Sequence, residues 1–350
     1  MPKVSVILTS FNHEKYIREA IDSALAQTFT DFELIIWDDA SSDNSWDIIN
    51  SYSDPRINAF RDDENRRGIY GLNKAITEVA SGEYIAIHHS DDVWVPEKLE
   101  KQVAFLDVNP QFGGVFTHAQ IINERNEKID NHWFDVRNKS RHLWLRDLFL
   151  NTNHLCHPSA LIRRSSYAKA GLYRFGLAQT GDVDMWIRLL KVSEIHVIQE
   201  KLTLHRLFTD KSNTSGDKPE VRGRLQIEWH IHKTSFLGIS ADDLLAMFPE
   251  AEKWFGREGS DATFILAMMA IELGASPGSK LFGLNLLFSL IAATETAQRI
   301  KKLHDFDYFD FIALTGIHDV FSANALIERD REINALHNEI DALHNSTRSD

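Results

Sequence analysis

Short apolar runs alternate with helical periods over the first part of the chain, and helical periods dominate after residue 220. Val4 to Leu8 is a β-rich run with one polar residue, the pattern of a strand buried on both faces. Phe32 to Trp37, Ile57 to Phe60 and Tyr84 to Ile87 repeat that pattern. Between them, Ile17, Ile21 and Leu25 share one face of a helix expected from Asn12 or His13 to about Gln27. Asp43 is a candidate N-cap for a helix through Ile48 and Ile49. Leu72, Ile76 and Val79 predict a helix over Gly68 to Ala80. Pro96 sits at a first-turn position of another, with Leu99, Val103 and Leu106 inward. Strand–helix alternation of this kind predicts a parallel sheet and an α/β fold.

Gly114 to Ile122, Ser159 to Arg163, Ile195 to Ile198 and Leu202 to Leu207 read as further strands, with helices at Tyr167 to Gly171 and Asp182 to Val192. Thr209 to Pro219 is polar and turn-rich and predicts a domain boundary. The expected organisation is an α/β domain over 1–215, a helical domain over 216–322 and a coiled-coil-like helix over 323–350. That last element rests on Ile333, Leu336, Ile340 and Leu343, which step by three, four and three. Isoleucine at a and leucine at d favours a parallel two-stranded coil. A homo-oligomer, or a partner held through this tail, is therefore expected; a surface helix packed on its own domain is the alternative. The repeat is still running where the sequence stops, as in a piece of a longer chain.

Bulk properties narrow the function. The 350 residues carry a net charge of −13, which argues against nucleic-acid binding. The single cysteine, Cys156, excludes an internal disulfide and fits a cytoplasmic protein. The N-terminus runs straight into a strand with no signal-peptide core. Leu281 to Ala293, the most apolar stretch, is broken by Gly283, Asn285 and Ser289 and reads as a core helix. No glycine precedes Gly68, so the Gly-rich first turn of a dinucleotide-binding fold is missing.

Two acidic turns carry the chemistry. Asp38-Asp39-Ala40-Ser41-Ser42-Asp43 and His89-Ser90-Asp91-Asp92 each follow a buried strand. Ligands of open α/β sheets bind beyond the carboxyl ends of strands. Carboxylates clustered there point to a divalent metal, a nucleotide, and a transferase with a phosphate-bearing donor.

With Val4 to Asn12, Asp38 to Ser45, Ser90-Asp91-Asp92, Cys156 to Ser165 and Gly181 to Arg188 in that order, residues 3 to 215 resemble the GT-A glycosyltransferases of family 2. The resemblance implies a Rossmann-like GT-A fold and inverting, metal-dependent transfer from a nucleotide sugar. It implies that Asp39 accepts the ring N–H of uracil or thymine, with Thr9, Phe11 and Asn12 lining the base pocket. Asp92 becomes a ligand of Mn²⁺ or Mg²⁺, and Asp91 the ribose contact or a second ligand. Many relatives carry Asp-x-Asp-Asp; His89 stands at the first position here and suits Mn²⁺ better than Mg²⁺. Asp182 aligns with the general base. His157, Asp184 and Trp186 fall on the acceptor side, and Lys74 near the phosphates. The expected donor is a UDP-sugar, with thymidine and then guanosine as later choices. The expected acceptor is a glycan, glycolipid or glycoprotein hydroxyl. The helical region is left open between covering the acceptor, meeting a partner and peripheral contact at the inner face of a membrane. The competing reading is an inactive GT-A domain serving as a scaffold through its tail. A zinc site at His154, Cys156 and His157 lacks a fourth donor.

Overall fold

The computed structural model describes all residues except 211, 212, 214, 215, 257, 258 and 347–350, with side chains described to residue 340. The chain divides into two compact units, Met1–Ile239 and Ser240–Asp350. The division falls beyond the polar stretch at 209–219: the Pro219–His232 helix belongs to the first unit.

The first unit is built on an eight-stranded sheet. Its strands are β1 (Val4–Ser10), β2 (Phe32–Asp38), β3 (Ile57–Arg61), β4 (Tyr84–His89), β5 (Val93–Trp94), β6 (Phe112–Ile122), β7 (Leu161–Arg163) and β8 (Glu194–Arg206). Their spatial order is β3-β2-β1-β4-β7-β6-β8-β5. The first four are parallel, as the alternating pattern predicts. The sheet as a whole is mixed, because β7 runs antiparallel to both β4 and β6, and β5 antiparallel to β8. Strands β1 and β2 are buried on both faces along most of their length, which accounts for their continuous apolar runs. The register sets Thr9 beside Trp37 and His89, and Ser10 beside Asp38. The carboxyl ends of β1, β2 and β4 are thus level, and both acidic turns leave the sheet at one edge.

Several elements differ locally from expectation. The first helix spans Ile17–Leu25, not from Asn12, because Asn12 adopts a left-handed φ of 53° and joins the loop instead. The second spans Ser45–Asn50 with Asn44 at its N-cap position, not Asp43. The Gly68–Lys74 helix passes into a π turn over Ala75–Val79. A Cβ at Gly71 would lie 2.3 Å from Trp37 Cδ1, so glycine lets this helix press onto the end of β2. Pro96 precedes the Lys98–Val108 helix and is not within it. The two strands expected after residue 194 are one strand, bridged across register shifts in its pairing with β6.

The second unit is helical. Asp261 and Ser276 cap the Ala262–Glu272 and Pro277–Ile291 helices. A Cβ at Gly283 would lie 2.5 Å from the Ala267 carbonyl, so these helices meet backbone to backbone and the apolar stretch is a core helix. Among the described residues no helix is long and apolar enough to cross a membrane. The tail is one helix, Ala323–Ser346, with Ile333, Leu336 and Ile340 exposed. A coiled coil requires a second helix, and one chain supplies only this one; Leu343 lies outside the described side chains.

Candidate active site

The loops after β1 and β2 are fastened to each other. Asn12 Oδ1 accepts from the Ser42 backbone N–H (2.8 Å), and the Asn12 N–H donates to Ser41 Oγ (2.9 Å). Asp38 is fully buried and spends its carboxylate on the turn, accepting from the Ser41 N–H (3.0 Å) with Arg61 Nε at 3.5 Å. Asp39 donates its N–H to the Ser10 carbonyl, and its own carboxylate accepts from the Arg66 N–H at 2.6 Å. Burial pushes the Asp39 carboxyl above its usual range, against the backbone N–H groups that lower it. Phe11 stands exposed at the mouth of this loop pair. Thr9, Phe11, Asn12 and Asp39 are therefore gathered at one place. Lys74 is not brought to them by any bond: its ammonium pairs with Glu78 (3.3 Å) one helical turn on, beside the Tyr70 ring.

The turn after β4 forms the second cluster. Donor atoms of His89, Asp91 and Asp92 lie within 4.8 Å of one another. Asp92 is fully buried; it accepts from the Arg206 N–H (2.8 Å) and from His205 Nδ1 (3.1 Å), with His89 Nδ1 at 3.5 Å. Burial would raise its carboxyl, but the two imidazoles outweigh it and hold the group far below the carboxylate range. Asp91 is raised by burial and by the charge on Asp92. Two carboxylates and an imidazole are oxygen and borderline nitrogen donors, a set that fits a divalent cation and Mn²⁺ better than Mg²⁺.

Asp182 lies in the first turn of the Gly181–Leu190 helix. Asn153 Nδ2 donates to its Oδ2 at 2.9 Å. Burial pushes its pKa up to about 6, against the helix N–H groups that favour the anion. His157 links the turn after β4 to Tyr173, its Nδ1 3.1 Å from His89 Nε2 and its Nε2 2.9 Å from the Tyr173 hydroxyl. Burial lowers its pKa, so the ring is neutral.

Two acceptor-side expectations are corrected here. Asp184 is fully buried, ion-paired with Arg188 (2.9 Å) and Arg174, and accepts from Ser235 Oγ (2.6 Å). Two residues on a helix turn the side chain by about 200°, which sends Asp184 into the core while Asp182 stays half-buried beside Asn153. Trp186 is also fully buried, edge-on to Phe116 and to His157. It supports His157 from behind and offers no surface to a ligand. His154 and Cys156 join no metal cluster among the described residues; Cys156 is buried, and His154 Nδ1 lies 2.8 Å from the Trp133 carbonyl.

The sequence profile described as glycosyl transferase family 2 matches residues 5–171. The putative glycosyltransferase EpsE of Bacillus subtilis is 32% identical over 197 residues, 54% of this chain and 67% of that protein. The UDP-Glc:alpha-D-GlcNAc-diphosphoundecaprenol beta-1,3-glucosyltransferase WfgD of Escherichia coli is 36% identical over 215 residues, 61% of this chain and 80% of that protein. The chain belongs to glycosyl transferase family 2. The crystal structure of S. aureus TarS 1-349 shares the fold of this family 2 enzyme, with a TM-score of 0.55 at 16% identity over 82% of this chain and 86% of that one.

Three residues of this glycosyltransferase's cleft escape the motif pattern. His205 and Arg206 sit at the end of β8, 113 and 114 positions from Asp92. The Arg206 guanidinium is buried, bonding the Asp91 carbonyl (2.7 Å), the Asn123 carbonyl (2.8 Å) and Glu19 (2.9 Å). Asn153 lies in a loop with no periodic signal. For Arg206 the one cue available was a charge inside the expected Leu202 to Leu207 strand.

Proposed function

We propose that this glycosyltransferase moves a sugar from a UDP-sugar, with inversion, to a hydroxyl of a glycan or lipid-linked glycan. The observation that carries the reading is the grouping of Asp39, the His89–Asp91–Asp92 cluster and a carboxylate of raised pKa, Asp182, around one edge of the sheet. Asp39 accepts the uracil ring N–H, and the Thr9–Asn12 loop lines the base. His89, Asp91 and Asp92 would hold Mn²⁺ or Mg²⁺, a Lewis acid that supplies charge neutralisation to the diphosphate. Asp182 takes the proton from the acceptor hydroxyl as that oxygen attacks the anomeric carbon. A base of pKa about 6 is largely ionised at neutral pH and still basic enough to share the proton in the transition state. Asn153 orients it. The donor choice is supported by the UDP-Glc in the name of WfgD and by the TarS 1-349 complex with UDP-GlcNAc. A diphosphoundecaprenol-linked acceptor in the name of WfgD supports a lipid-linked glycan and a working place at the inner membrane face. The tail helix, with its exposed apolar stripe, would join two copies.

Calorimetry with UDP, dTDP, GDP and CMP, each with and without Mn²⁺, tests this reading. Metal-dependent binding of UDP is expected. Binding of none of the four would replace it with the inactive scaffold.

A further inference from the structure

We propose that Trp133 and His154 form the floor of an acceptor subsite that takes a pyranose ring. The proposal rests on Asp182 as the base and names the class of acceptor that base serves.

Trp133 is 52% exposed, yet it is held on three sides. Its indole Nε1 donates to the Asn153 carbonyl (2.7 Å), and its backbone N–H donates to Asn131 Oδ1 (2.8 Å). Its carbonyl accepts from His154 Nδ1 (2.8 Å), and the imidazole lies against the indole with ring centroids 4.5 Å apart. An indole packed only to hide itself would be buried; this one is immobilised and left open. Asn153 is the link to the chemistry. Through its carbonyl it fixes the indole, and through its side-chain amide it fixes Asp182. The indole and the carboxylate are therefore fastened to the same residue, Asn153, one to its backbone and one to its side chain.

The surroundings select the ligand. An acyl chain needs a continuous apolar wall. The residues bonded to Trp133 are polar, Asn131, Asn153 and His154, and of its two chain neighbours only Phe134 is apolar, since His132 is paired with Asp130 and Asp135. A pyranose has one face of C–H bonds and a rim of hydroxyls. The C–H face meets the negative face of the indole ring, while the polar rim serves the hydroxyls. Stacked there, the ring turns an edge hydroxyl toward Asp182.

The test uses the whole protein, with methyl β-D-glucopyranoside and its N-acetylglucosamine counterpart as probes, in saturation-transfer NMR. Transfer to the axial C–H protons is expected in the wild type. Trp133→Ala should weaken affinity for both glycosides by about tenfold or more, and Trp133→Phe should keep most of it. Equal transfer in Trp133→Ala and wild type, or no transfer in the wild type, would overturn the subsite. UDP calorimetry on the same proteins separates the two readings. Glycoside contact without UDP binding leaves the subsite and removes the donor assignment; the reverse leaves the donor site and removes the subsite.

Discussion

Asn153 donates a hydrogen bond to Asp182, 2.9 Å from Nδ2 to Oδ2, at the start of the Gly181–Leu190 helix. Burial raises the pKa of Asp182 to about 6, and the Asn153 amide pulls the other way. As the proposed base, Asp182 would act when ionised, so kcat/KM should rise with pH through about 6 and level off above it. Asn153→Ala removes a bond to the anion and should move that limb to higher pH. An unchanged limb in Asn153→Ala would dissociate the pH profile from Asp182.

Asp182→Asn should abolish turnover, by about 10²-fold or more, while UDP affinity stays near wild type. The folded protein should not suffer. A carboxyl whose folded pKa lies above its unfolded value destabilises the fold once ionised, from about pH 4 upward. Removing that charge should leave Tm at pH 7.5 unchanged or higher. Loss of activity together with a lowered Tm would mean the residue is structural.

Asp92 is predicted to separate metal dependence from folding. Asp92→Asn keeps an oxygen for the Arg206 N–H and should fold, but Mn²⁺ should no longer enhance UDP binding. Asp92→Ala leaves that N–H and His205 without their acceptor, and a destabilisation of about 1–3 kcal/mol is expected. Full Mn²⁺ enhancement in Asp92→Asn would move the metal elsewhere.

Glu228 ties the Pro219–His232 helix to the segment that leads into the Asp182 helix. Its buried carboxylate accepts from the Ala178 (2.9 Å), Gln179 (2.8 Å) and Thr180 (2.8 Å) N–H groups, the run leading into the Asp182 helix. Glu228→Ala should lower kcat with little change in UDP affinity, and Glu228→Gln should recover part of the loss. A variant that loses UDP affinity and kcat together would make Glu228 a general fold support and not a positioning residue.

The parts of this molecule legible in the sequence are those set by local periodicity. Strands β1, β2 and β4 announce themselves because both faces are buried, so their residues need no polar alternation. The acidic turns are visible because they follow those strands directly. What β7 and β5 do is not visible: a strand of three or two residues carries no record of direction, and pairing decides it. His205 reaches Asp92 across 113 positions, a proximity no spacing encodes. Trp133 and Asn153 lie in polar loops, where a functional aromatic looks like any surface residue. Asp184 shows the converse, since a motif neighbour two positions from Asp182 is placed in the core by helix geometry alone.

The tail provides the last prediction. Ile333, Leu336 and Ile340 are 43%, 57% and 47% exposed on the Ala323–Ser346 helix. Their three-and-four spacing aligns them on one seam, and an isolated helix gains little by keeping such a seam in water. Two parallel copies would bury it. Sedimentation of the full chain should therefore show a dimer, and a chain ending at Asp319 should sediment as a monomer with its UDP binding intact. Replacing Ile333 and Ile340 together with Lys puts like charges at facing a positions, and should give the monomer without any truncation. Retention of the dimer in both variants would assign self-association to another surface; a monomeric full chain would leave the seam to a different partner.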